Sequence, residues 1–142
     1  MAIQDFRTLG RRMAKVTRTI ERGLERYVAD VGAAIGEELV PATPVDTGLA
    51  RGNWRPSLRV PVSEATSLAD PTGRATVARI ANVARQFRLG QQMFIVNRLP
   101  YIRRLNAGWS SQAPAGFVEA AVERGLEKAT RAREQGGLTR GD

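Results

Sequence analysis

Ten apolar residues, Phe6, Leu9, Met13, Val16, Ile20, Leu24, Tyr27, Val31, Ile35 and Leu39, follow one another at steps of three or four. That spacing lays them along one side of an α-helix and is incompatible with a strand, whose period is two. The positions between them are charged (Arg11, Arg12, Arg18, Glu21, Arg22, Glu25, Arg26), so one face is wet and the other is expected to pack. Gly10, Gly23, Gly32 and Gly36 each weaken a helix by roughly 1 kcal/mol relative to alanine, which predicts a kink or break near one of them. Pro41 and Pro44 are expected to end it.

The rest of the chain is shorter-ranged. Residues 54–62 alternate apolar and polar, predicting a half-buried strand that Pro56 marks as an edge or bulged one. Residues 63–72 read as a polar loop closed by Pro71-Thr72-Gly73. Val77, Ile80, Ala81, Ala84 and Phe87 form a second helical stripe ended by Leu89-Gly90. Met93 to Val96 is a second strand candidate, and residues 100–105 make one or two helical turns closed by Gly108. A last helix is expected to start near Pro114, with Val118, Val122, Leu126 and Ala129 on one side. The order predicts an α+β fold: a long N-terminal helix and a C-terminal helix packed on a small antiparallel sheet. One domain is expected over residues 1–134, with a disordered tail over 135–142.

The 142 residues include no cysteine and no histidine. Thiol nucleophiles, Ser-His and Cys-His catalytic arrangements and Cys/His zinc sites are therefore excluded. No paired carboxylates are spaced as a metal cage, no glycine loop with a lysine is present to cradle phosphate, and no cofactor is expected. The short apolar runs and the lack of a secretory signal predict a protein that is soluble and cytosolic when made. The net charge of +8 is uneven: residues 51–104 hold ten arginines against Glu64 and Asp70, while the flanking segments balance. A local basic field follows if the fold keeps those arginines together. A basic nucleic-acid-binding protein is one reading of it, although no binding motif or interleaved aromatic platform accompanies the charge.

Asp46-Thr47-Gly48 is the triplet that carries the carboxylate of aspartic proteases, in which two aspartates share a proton. Here it follows Pro41 and Pro44 at a helix end, in a chain too helical for a β-rich protease half. The residues instead predict a turn, with Asp46 or Thr47 accepting from backbone N–H groups of residues 48–52. No enzymatic activity is expected.

Thr43-Pro44-Val45-Asp46-Thr47-Gly48-x-x-Arg51-x-x-Trp54, followed by a strand, resembles the opening signature of the neck or tail-completion proteins of long-tailed bacteriophages, also known as minor tail components. Asn97-x-x-x-Tyr101, Gly108 and the Ala113-Pro114-Ala115-Gly116-Phe117 lead-in to a C-terminal helix continue the pattern in order, over residues 5–130. Ile102 and Asn106 depart from it, standing where relatives carry a small residue and an acid. The resemblance implies a virion protein without cofactor, a homo-oligomeric ring, six-fold like the tails, between head connector and tail tube. It would join the tail to the DNA-filled head, be found at the head-tail junction, and sit in the host cytoplasm during assembly. Within such a ring Arg74, Arg85 and Arg88, which a continuous helix brings within about 60° of one another, are expected to face the lumen, with non-specific contact to DNA, or an acidic neighbour. Trp54 is expected in the core. Trp109, after a glycine in a polar loop, is a candidate interface anchor.

Overall fold

A computed structural model of the chain describes residues 5–138. Its elements run α1 (Phe6–Ala42), α2 (Leu49–Gly52), β1 (Arg55–Leu58), α3 (Arg74–Arg85), β2 (Met93–Val96), α4 (Ile102–Asn106) and α5 (Phe117–Leu138). The fold is α+β, as the periodicities require.

The spine is α1, whose 37 residues make a rod roughly 55 Å long. Asp5 caps it, its carboxylate accepting from the Arg7 N–H at 2.9 Å. The break expected at a glycine does not occur. Gly10 and Gly23 face open space, while Gly32 and Gly36 are buried against Met93 and Ile80, where a side chain would collide. Glycine is tolerated here because burial offsets its helix penalty. Pro41 lies inside the last turn, and the helix closes one residue beyond it.

Antiparallel to α1 runs α5, with backbones in close approach. A Cβ on Gly125 would stand 2.6 Å from the Ile35 Cα, so only glycine permits this separation. Along the seam Arg124 pairs with Glu38 at 3.1 Å and Lys128 with Glu37. Tyr27 meets the Thr130 hydroxyl at 3.3 Å and carries the Arg133 guanidinium over its ring. On another side of α1, α3 packs through Ile80 and Ala84, and Leu39, Val40, Trp54, Ile80 and Ala121 form the core.

The sheet has two antiparallel strands, registered from Arg55 opposite Val96 to Leu58 opposite Met93. It is shorter than the expected 54–62 because Arg59 takes a left-handed conformation (φ 76°) that turns the chain out of the ladder. Likewise α3 stops at Arg85, and Phe87 reaches the core from the turn that follows. Pro114 lies in the turn before α5, which starts at Phe117. That helix continues through residues 135–138, correcting the expectation of a disordered tail there; residues 139–142 lie outside the described residues.

Candidate functional site

The motif residues converge on the end of α1. Arg51 donates through Nε to the Thr43 carbonyl (2.9 Å), through one terminal nitrogen to Pro41 (3.1 Å) and through the other to Pro71 (2.7 Å). The last carbonyls of a helix lack intrahelical partners, and the flat guanidinium fork satisfies two from this region while holding a distant loop. Trp54, 6 % exposed, donates from its indole to the Thr43 hydroxyl at 2.8 Å, and that hydroxyl donates to the Leu39 carbonyl at 2.8 Å. Gly48 adopts φ 89° and lies against Pro71, and its carbonyl accepts from Gly52 and Asp70. Pro44 is buried beside them.

Asp46 does not play the capping part expected of it. It is exposed and makes no hydrogen bond or ion pair among the described residues, while Thr47 accepts from the Leu49 N–H at 3.3 Å. Besides Asp5 on α1, a carboxylate that caps is Asp70, unmarked in the sequence. It accepts from the Gly73 N–H, the Thr76 N–H and the Thr76 hydroxyl, which seats the start of α3. Burial pushes the Asp70 carboxyl up, but hydrogen bonds from the Thr76 side chain, the Thr76 and Gly73 backbone and the Thr72 hydroxyl outweigh it and hold the carboxyl below its ordinary value.

Residues 59–73 have no regular structure, yet side-chain donors stitch them down. Arg98 donates to the Val62 carbonyl, Arg55 to Glu64, Asn53 to Thr66 and Arg51 to Pro71, each at 2.7–2.9 Å. Asn53 is fully buried and also accepts from the Thr66 N–H. A loop that supplies few partners for its own backbone thus finds them on the body. Part of the arginine excess serves to hold this loop.

Pro44, Asp46, Thr47, Tyr101 and Ser110 line a cleft of about 260 Å3. Asp46 is the sole carboxylate among its lining residues. The helix α4 ends at Asn106, two residues before the left-handed Gly108 (φ 94°), and Asn106 organises the start of α5: its side-chain oxygen accepts from the Val118 N–H, and its side-chain amide donates to both oxygens of Glu119. That amide, with backbone help, holds the Glu119 carboxyl below its ordinary value. An acid in place of Asn106 would keep the first bond and repel Glu119, a local reason for the departure from the phage pattern. Phe117 is buried, Tyr101 is at the surface, and Trp109 is 73 % exposed with Arg104 stacked over its ring at 5.3 Å.

The three arginines expected on one helix edge do not form one. Arg74 and Arg85 are exposed on α3 but sit roughly 16 Å apart along its axis. Arg88 lies past the helix end, its guanidinium bound to the Arg85 and Phe87 carbonyls. Arg85 and Arg88 share a depression with Arg22 and Arg26, but Glu25 and Asp30 line it too.

The N-terminal half of α1 is the feature that sequence reasoning missed. The stripe was expected to pack throughout, but the buried residues of α1, Gly32, Ala34, Gly36, Leu39 and Val40, all lie in its C-terminal third. Phe6 is 91 % exposed, Met13 61 %, and Val16 and Ile20 58 % each. The signal was present in the lengths: no other element is long enough to cover a rod of this size.

In comparisons with family models, curated proteins and solved structures, nothing matches the chain. The likeness to phage neck proteins therefore stands on the motif residues. Among the described residues, no three His, Cys, Asp or Glu side chains group as metal ligands would, and no helix is long and apolar enough to cross a membrane.

Proposed function

We propose that the chain is a structural subunit of a tailed-bacteriophage virion, assembling as a ring at the head-tail junction and joining the tail to the DNA-filled head. The observation that carries this reading is the uncovered apolar half of α1. A row of large apolar side chains standing off the body is a liability in an isolated domain and an asset in a subunit awaiting neighbours. The motif residues support it as well: Arg51, Trp54 and Gly48 bind the scaffold together. Neighbouring connector and tail-tube proteins are the partners, the virion is the final location, and the host cytoplasm is where assembly takes place.

The exposed α3 arginines, Arg74 and Arg85, are the groups offered to the lumen or to an acidic neighbouring ring. The alternative, an independent nucleic-acid-binding protein, loses support from the arginines themselves, since Arg51, Arg55 and Arg98 are spent on backbone carbonyls and Arg104 on Trp109. Deleting the gene from the phage is the test: filled heads accumulating beside separate tails are expected, and normal virions would overturn the proposal.

A further inference from the structure

The uncovered row on α1 has a definite geometry. Phe6, Leu9, Met13, Val16 and Ile20, of which Leu9 is half-buried and the other four are exposed, alternate steps of three and four, placing them in a strip about 80° wide, the narrow seam of paired helices. Beside the seam stand Gly10, Thr17 and Thr19, with Arg12 near one edge and Glu21 near the other, while Arg7, Arg11, Lys15, Arg18 and Arg22 lie on the opposite side of the rod. The same strip, continued toward the C-terminus, passes through Tyr27 and Ala34, where α5 already packs. The exposed row is thus the continuation of an established helix-helix interface, beyond the reach of the helix that fills it.

We infer that residues 6–24 form an arm that pairs with the arm of a second copy of this chain along the Phe6, Leu9, Met13, Val16 and Ile20 seam. The inference rests on the ring reading in taking that second copy to be one of a subunit's two neighbours: a seam that pairs with itself joins subunits two by two, and other surfaces close the ring. Two like-charged arms can approach because five of their six cationic residues point away from the shared seam, and Arg12 at one edge is balanced by Glu21 at the other. The exposed apolar area of one arm is on the order of 500 Å2. Two arms together bury on the order of 1,000 Å2, the low end of a specific interface. A lipid surface is the competing occupant, since an interfacial helix also sets Lys/Arg opposite an apolar face; the strip's width, that of a coiled-coil seam, and its continuity with the α1–α5 contact favour a paired helix. So short a seam gives weak pairing alone, and the other contacts of a ring multiply it through effective concentration.

Sedimentation velocity on the full chain, from a few micromolar to about 200 µM, tests the inference. The mass is expected to rise from that of the 15.5 kDa monomer to at least twice that value. In the double variant Val16→Glu, Ile20→Glu the association should weaken at least tenfold with the far-UV circular dichroism unchanged, because both side chains are already exposed. The chain has no native cysteine, so M13C at the middle of the seam should be linked into dimers by a short bis-maleimide. A chain that stays monomeric throughout would overturn the inference. So would association that is equal in the double variant and gives no cross-link, an outcome that leaves the ring standing through other surfaces. Monomers that bind anionic phosphatidylserine vesicles through the same arm residues would overturn it in favour of a lipid surface. Absence of the chain from virions would sink the ring reading instead, while pairing read in solution would stand.

Discussion

Arg51 sends one guanidinium to the carbonyls of Pro41, Thr43 and Pro71, so removing it frees a helix end and a loop together. Arg51→Ala is expected to lower unfolding stability by about 2–3 kcal/mol, and Arg51→Lys by nearly as much, since a point-like ammonium cannot serve three carbonyls in a plane. Asp46→Ala, in the same motif, should change stability by less than about 0.5 kcal/mol, because the side chain is exposed and unbonded. Urea denaturation of the three variants checks this ranking, and an Asp46 variant as damaged as the Arg51 ones would refute it. Asp70 supplies a pH dependence. Its folded-state pKa lies below the ordinary 3.8, so its stabilisation is fully present above that value and is lost as pH falls through the folded-state pKa. Asp70→Asn should cost about 1 kcal/mol at pH 7, with the gap to wild type closing in strong acid. A gap constant from pH 7 to pH 2 would show that the capping carboxylate contributes nothing through its charge.

Among the elements, the α1–α5 contact depends on a missing side chain. Gly125→Ala must push α5 off the Ile35 backbone and is expected to cost about 1–3 kcal/mol, although alanine is the better helix former. Gly23→Ala, with nothing within 4 Å, should instead raise helix stability by about 1 kcal/mol. Thermal unfolding followed by circular dichroism separates the two, and equal shifts in the same direction would mean that helix propensity, not close packing, governs both. The loop over residues 59–73 is a second element defined from outside itself. Its order is imposed by Arg51, Asn53, Arg55 and Arg98, which explains how so long a segment without regular structure holds its place.

For the whole molecule, the contrast between a well-packed body and an uncovered arm is what the proposed assembly rests on. Quantitative mass spectrometry of purified virions is expected to find about six copies per particle, the value for one closed ring matched to a six-fold tail. One or two copies, or none, would contradict a ring. The net charge of +8 is less of a DNA-binding signature than it first looks. Several middle arginines are hydrogen-bond donors to the protein's own backbone, and the depression at Arg85 and Arg88 contains Glu25 and Asp30.

The sequence by itself determined the fold class, because periods of three to four and of two are written directly in residue type. It identified α1 by its stripe, α3 by Ile80 and Ala84, the second strand by its short apolar run, and the core place of Trp54. It also carried the turn at residues 44–48, since proline and left-handed glycine act on the local backbone. What only the tertiary structure decided were the partners of polar groups distant in sequence. Arg51 reaches Pro71, Asn53 reaches Thr66 and Asn106 reaches Glu119, and none of these pairings leaves a periodic trace. The left-handed Arg59 that cuts β1 short was hidden because arginine has no preference for that conformation; at the turn Thr47, not Asp46, accepts from a backbone N–H, and the carboxylate at the start of α3 is Asp70, placed there by the fold of the loop. An apolar stripe states that a helix face needs a partner, whereas the length of the neighbouring helices decides how much of that face is covered from within. Residues 6–24 of α1 remain open to another molecule for that reason.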